Sequence, residues 1–148
     1  MRISPQNVAN DIDGSDPQAL FNHVAESLGG KDIAYLHVIE GDTSGKPMPA
    51  FDYTALKRLF GGPVIVNNNF DGARAMAAVA EGRADMVAFG KPFISNPDLP
   101  IRLLLGAPVE TANHDTFYGG GEEGYTDYQL LRSVKPDVCY RAHEHAWG

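Results

Sequence analysis

Only one cysteine, Cys139, occurs in the 148 residues, so no internal disulfide can staple this fold and the chain does not read as a small secreted scaffold. No apolar run approaches the ~20 residues needed to cross a bilayer. The amino-terminal segment MRISPQNVANDID lacks the apolar centre of a secretory signal, which makes the cytoplasm the expected compartment. Positive charge is also scarce. Twelve lysines and arginines against 19 aspartates and glutamates leave a formal net charge of −7, and no basic cluster offers a local exception. Neither nucleic acid nor a membrane surface is therefore an expected partner. The 16 glycines and 10 prolines form no low-complexity block; they fall between apolar segments and punctuate an ordered fold.

The remaining composition is that of a single globular domain, with 43% hydrophobic residues to build a core and 21% charged residues to solvate it. Arg2-Ile3-Ser4 reads as the end of a strand, stopped by Pro5 and a polar run to Asp13. Ser15 or Asp16 caps a helix with Pro17 in its first turn, and Leu20, Phe21, Val24 and Leu28 recur at helical spacing before Gly29-Gly30. Ile33 to Ile39, IAYLHVI, reads as a strand covered on both faces, followed by the loop Glu40-Gly41-Asp42. A helix over Tyr53 to Phe60, a buried strand Pro63 to Val66, a helix from Gly72 to Glu81 capped by Asp71, and a buried strand Asp85 to Phe89 come next. Asn96-Pro97 opens a further helix through Leu105, with Gly106-Ala107-Pro108 as its stop. Four parallel βα units in succession are half of a barrel. Tyr118 to Gly124 is too glycine-rich for regular structure, and residues 133–148 read as a tail of uncertain order beyond a domain covering residues 1–132.

In parallel α/β folds ligands gather at the carboxyl ends of the strands. Asn67-Asn68-Asn69, ahead of a helix beginning at Asp71, and Gly90-Lys91 after Phe89 occupy such positions. Together they offer backbone N–H groups, amide donors and one cation to a phosphate monoester. The plainer reading of Asn68 and Asn69 is that they only tolerate a tight turn. Spacing alone leaves both open. His37, inside an apolar strand with no nucleophile nearby in sequence, reads as a hydrogen-bonded core histidine. Cys139, His143 and His145 form C-x₃-H-x-H, but that spacing matches no standard metal motif, so they read as part of the solvated tail and no metal site is expected. Glu122-Glu123 reads as a solvated turn instead of an acid/base pair.

Five segments carry a more specific signal: RISP (2–5), AYLHVIEGDTSG (34–45), the loop with Asn69-Phe70-Asp71, ADMVAFGKPFISNPDLP (84–100) and FYGGGEEGYTDY (117–128). In this order and at these intervals they resemble the carboxyl-terminal half of the Old Yellow Enzyme family of FMN-dependent ene-reductases, whose fold is a (β/α)₈ TIM barrel. The resemblance covers nearly everything before Gln129. It implies that Arg2 lies beside the pyrimidine edge of FMN, that Asn68, Asn69, Gly90 and Lys91 hold its phosphate, and that Tyr118, with Phe117 near it, lines the dimethylbenzene edge. Two positions depart from the family pattern, which typically has glycine where Asn68 stands and arginine where Lys91 stands. Lysine keeps the charge but loses the planar fork.

The resemblance further implies NAD(P)H as reductant and an activated alkene as substrate. The family's substrate clamp and proton-donating tyrosine precede the RISP motif and have no counterpart in these residues, so no catalytic residue is assigned. A whole (β/α)₈ barrel needs roughly 200 to 400 residues. Two expectations follow side by side: a segment of an FMN-dependent oxidoreductase, or a catalytically silent half-barrel that pairs with a second half-barrel chain or with itself, or is a truncated remnant. A half-barrel from a sugar-phosphate isomerase is a third reading, against which FYGGG and NPDLP speak.

Overall fold

The computed structural model describes residues 1–7 and 15–131. These form two compact units, divided between Phe89 and Gly90. The first unit is built on four parallel strands, β1 (Arg2–Ile3), β2 (Leu36–Ile39), β3 (Val64–Asn67) and β4 (Met86–Ala88), hydrogen-bonded in the order β1-β2-β3-β4. Between them run α1 (Pro17–Leu28), α2 (Tyr53–Phe60) and α3 (Gly72–Ala80). Strands that succeed one another in chain order, joined by crossovers of one hand, place all their helices on one face; a doubly wound sheet would reverse direction instead. The topology is that of a barrel arc.

The pleat sorts the side chains accordingly. With Ile3 opposite Val38, Val38 opposite Val66 and Val66 opposite Val87, one face carries Ile3, Leu36, Val38, Val64, Val66 and Val87. These pack with Ala25, Leu56, Phe60, Ala75 and Ala78 from the three helices into one core. Burying each large aliphatic or aromatic side chain there contributes about 1.5–3 kcal/mol. The opposite face carries Arg2, His37, Ile39, Ile65, Asn67, Met86 and Ala88. The expectation that Ile33 to Ile39 is covered on both faces holds in part, since Leu36, Val38 and Ile39 are buried and His37 is half-buried, whereas the buried strand expected over Asp85 to Phe89 is more open. On this face Met86 is 45% exposed and Arg2 is exposed, His37, Ile65 and Asn67 are half-buried, and Ile39 is buried. β2 also starts at Leu36 and not at Ile33, since Lys31 and Ile33 are spent in a turn after α1.

Helix ends follow the sequence closely. Asp16, Asp52 and Asp71 each accept a backbone N–H three residues on, from Ala19 (2.9 Å), Ala55 (3.0 Å) and Arg74 (2.7 Å). Each such cap contributes about 1 kcal/mol. The second unit contains α4 (Lys91–Ser95), α5 (Leu99–Leu105) and a 3₁₀ turn at His114–Thr116. Asn96-Pro97 does not open α5, as the sequence suggested, and α4 is an addition. The Asn96 side chain instead donates to the carbonyls of Pro92 (2.7 Å) and Glu110 (3.0 Å) and accepts from the Glu110 N–H (2.8 Å). It ends α4 and ties that turn to the segment after α5. The tail expected over residues 133–148, with Cys139, His143 and His145, lies outside the described residues.

Candidate functional site

The carboxyl ends of β1, β2 and β3 meet in one network within the first unit. β3 ends at Asn67, and the next two residues take left-handed backbone conformations, with φ of 98° at Asn68 and 54° at Asn69. Asparagine tolerates the second value readily, whereas the first is closer to glycine's territory. Asp71 then caps α3, and Arg74 of that helix reaches back to the Asn69 carbonyl (2.5 Å) with its guanidinium 5.3 Å from the centre of the buried Phe70 ring. Among the described residues, no backbone carbonyl accepts from the N–H of Asn68 or Asn69.

The side chain of Asn68 has another task. Its amide donates to the carbonyls of Glu40 (2.7 Å) and Asp42 (3.2 Å) in the loop after β2. From the other side, the Gly41 N–H donates to the Tyr53 hydroxyl (2.6 Å), which donates to Gln6 (2.6 Å), and Gln6 donates to the Pro49 carbonyl (2.6 Å). Gln6 is buried, two residues after Ser4 of the RISP motif. Burial raises the Tyr53 hydroxyl above its ordinary value, although the Gly41 bond opposes this. Burial likewise raises Glu40 against the pull of Arg83 and Arg74, and hydrogen bonds from Ser44 hold Asp42 below the usual carboxylate range. No motif marks Gln6 or Tyr53 in the sequence; the signal for either is adjacency to a strand or helix end.

On the open face, Arg2 lies opposite His37 across the β1–β2 pair, and Asn67 lies one strand further on the same side. His37 is held below its ordinary value by burial first and by the Arg2 charge second, with Asn67 opposing. Its Nε2 and the Oδ1 of Asn67 are buried and have no partner within strict hydrogen-bond geometry among the described residues, while a weaker side-chain interaction with Asn67 favours the charged ring. The histidine expected to be a hydrogen-bonded core residue is half-buried, with the Asn67 side chain as its polar neighbour.

In the second unit, Gly90 and Lys91 are both exposed at the start of α4. Tyr118 is 92% exposed, so it packs in no core. Phe117 stacks on His114 at 4.8 Å and meets Tyr118 edge-on at 6.3 Å. The glycine-rich loop closes where Gly124 (φ 69°) crosses Thr116, leaving no room for a side chain at that position. A cavity of about 590 Å³ in this unit is lined by Arg102, Glu110, Glu123, Asp127 and Tyr128, among others. It holds none of the expected cofactor-binding residues. Its one cation, Arg102, is already committed to Asp98 and to the carbonyls of Pro108 and Gln129, so it is a poor phosphate site. Among the described residues there is no cluster of metal-ligating side chains and no helix long and apolar enough to cross a membrane.

Residues 1–110 match the family model described as the NADH:flavin oxidoreductase / NADH oxidase family. A probable flavin mononucleotide-dependent alkene reductase of Leishmania infantum is 38% identical over 131 residues, which are 88% of this chain and 35% of that protein. Morphinone reductase superposes with a TM-score of 0.83 at 38% identity, covering 89% of this chain and 36% of its own. The old yellow enzyme of Trypanosoma cruzi superposes with a TM-score of 0.82 at 32% identity, covering 88% and 34%. The chain spans about a third of the length of the curated relatives it matches. Its four parallel strands with alternating helices are half of a (β/α)₈ barrel. The chain belongs to the NADH:flavin oxidoreductase / NADH oxidase family, that of the Old Yellow Enzymes.

Proposed function

We propose that these residues supply the phosphate side and pyrimidine edge of an FMN site in an NAD(P)H-driven reductase of activated alkenes. The observation that carries the reading is the turn after β3, where Asn68 and Asn69 leave two backbone N–H groups without a backbone acceptor among the described residues at the carboxyl end of a barrel strand. Such groups suit a phosphate monoester. FMN, when bound, takes up hydride from the nicotinamide and delivers it to the alkene. Arg2 has the charge to stabilise an anionic reduced flavin, and its exposure on the concave face leaves it accessible. The family resemblance would give Gly90 and Lys91 the phosphate charge and Tyr118 the apolar edge of the ring. None of His23, His37 and His114 is followed at the third residue by histidine or asparagine. The resemblance implies that the family's substrate clamp and proton donor precede the RISP motif, so no catalytic role is given to a residue of this chain.

A second reading, a catalytically silent half-barrel completed by another half-barrel or by a second copy, is favoured by one observation. The face that carries Arg2, His37, Ile65 and Met86 is only partly covered, with Arg2 and Met86 exposed, and further strands would cover it. The test is titration with FMN and with riboflavin, followed by flavin fluorescence, then anaerobic reduction with NADPH and addition of an enone. Tighter binding of FMN than of riboflavin, weakened in Lys91→Ala and Arg2→Ala, supports the flavin-site reading. Equal affinity for the two flavins rejects it. FMN binding without turnover, together with a concentration-dependent dimer in sedimentation, supports the silent half-barrel.

A further inference from the structure

We infer that Asn68 is a positioning residue, which sets the geometry of the turn after β3 by clipping it to the loop after β2. The inference rests on the FMN-phosphate reading and names a residue that works without touching the ligand through its side chain. The backbone ladder between the two strands continues one step past β2, with the Glu40 N–H donating to the Asn67 carbonyl (3.0 Å). The Asn68 amide then adds a side-chain rung, reaching the Glu40 and Asp42 carbonyls at 2.7 and 3.2 Å. These two acceptors bracket Gly41, whose own N–H is held by Tyr53. The loop after β2 is therefore gripped from both sides and forms a fixed abutment.

Holding this rung requires φ of 98° at Asn68, a conformation that a residue with a side chain adopts only under constraint. Glycine would adopt it freely but would supply no amide. The strain and the two hydrogen bonds are consequently coupled: the clip keeps the backbone turned, and in the turned backbone the N–H groups of Asn68 and Asn69 have no backbone acceptor among the described residues. Residues that hold a binding group within a fraction of an ångström act through such support.

The experiment compares the full chain with Asn68→Gly, Asn68→Asp and Asn68→Ala. Hydrogen exchange without flavin should show the amides of Gly41, Thr43 and Ser44 opening about tenfold faster in Asn68→Gly, from loss of one to two net hydrogen bonds, with Val38 and Val66 unchanged. The FMN-to-riboflavin affinity ratio should fall about tenfold in Asn68→Gly and further in Asn68→Asp, whose carboxylate repels the two carbonyls and the phosphate. Melting temperature should change little in the glycine variant, because relief of strain offsets the lost bonds. Unchanged exchange in all three variants overturns the clip. Faster exchange with an unchanged affinity ratio overturns the positioning role. A wild-type chain that binds both flavins equally removes the FMN reading instead, and the exchange result then decides the clip alone.

Discussion

Asp98 and Arg102, one helical turn apart, form a buried ion pair of 2.7 Å with side chains 8% and 4% exposed. Every polar arm of the pair is used. The second carboxylate oxygen accepts from the Leu131 N–H (2.8 Å), and the guanidinium reaches the Pro108 (2.8 Å) and Gln129 (2.7 Å) carbonyls. The pair thus binds the segment after the glycine-rich loop to α5. In the NPDLP motif, aspartate and asparagine are staples of the second unit.

Removing one member strands the other. Asp98→Ala is expected to destabilise by about 3–5 kcal/mol in urea denaturation, since a buried guanidinium loses its counter-charge. Burial works against the ionised form of Asp98, but the Leu131 N–H and the Arg102 bonds outweigh it and hold the group below the usual carboxylate range. A depressed folded value means that the contribution is complete above the unfolded value of about 3.9 and is lost as pH falls through the folded value. Wild type should therefore lose stability in acid more steeply than Asp98→Asn.

His37 titrates beside Arg2. Because burial and the arginine both depress it, its neutral form is the stable one, and stability should fall as pH drops below the unfolded value of about 6.5. Arg2→Ala should shift the ring titration upward when followed by NMR. An unmoved titration would show that Arg2 points elsewhere.

Leu56 is fully buried where α2 meets the sheet. Leu56→Ala is expected to cost about 2–5 kcal/mol through lost transfer energy and the cavity left behind. Thermal or urea denaturation measures it directly.

Gly124 tolerates no side chain against Thr116, and its φ is positive. Gly124→Ala should destabilise by about 2 kcal/mol or more. Gly121→Ala in the same loop, where a Cβ meets open space, should stay within about 0.5 kcal/mol. Equal effects of the two would show that the Thr116 crossing does not close the loop.

Much of the first unit was legible residue by residue. Asp16 and Asp71 announced their helices because a cap is a local bond between residues three apart, and Val64 and Val66 announced a strand by composition. Asn96 misled because the same side chain suits a helix start and a buried staple. Its choice depended on Glu110, fourteen residues away. For the candidate site, the sequence located Asn68 and Asn69 as a turn at a strand end but not the partners of Asn68, which lie 26 and 28 residues earlier.

By itself, then, the amino-acid order determined the alternation of strand and helix, the caps, the family motifs, the net negative charge and the single cysteine that excludes an internal disulfide. All of these are properties of neighbours or of composition. Only the tertiary structure decided which face of the sheet carries the core, that His37 and Asn67 share the other face, and that Asn68 is tied to the loop after β2. Strand register and loop closure bring distant residues within hydrogen-bond reach, and no local propensity encodes that distance.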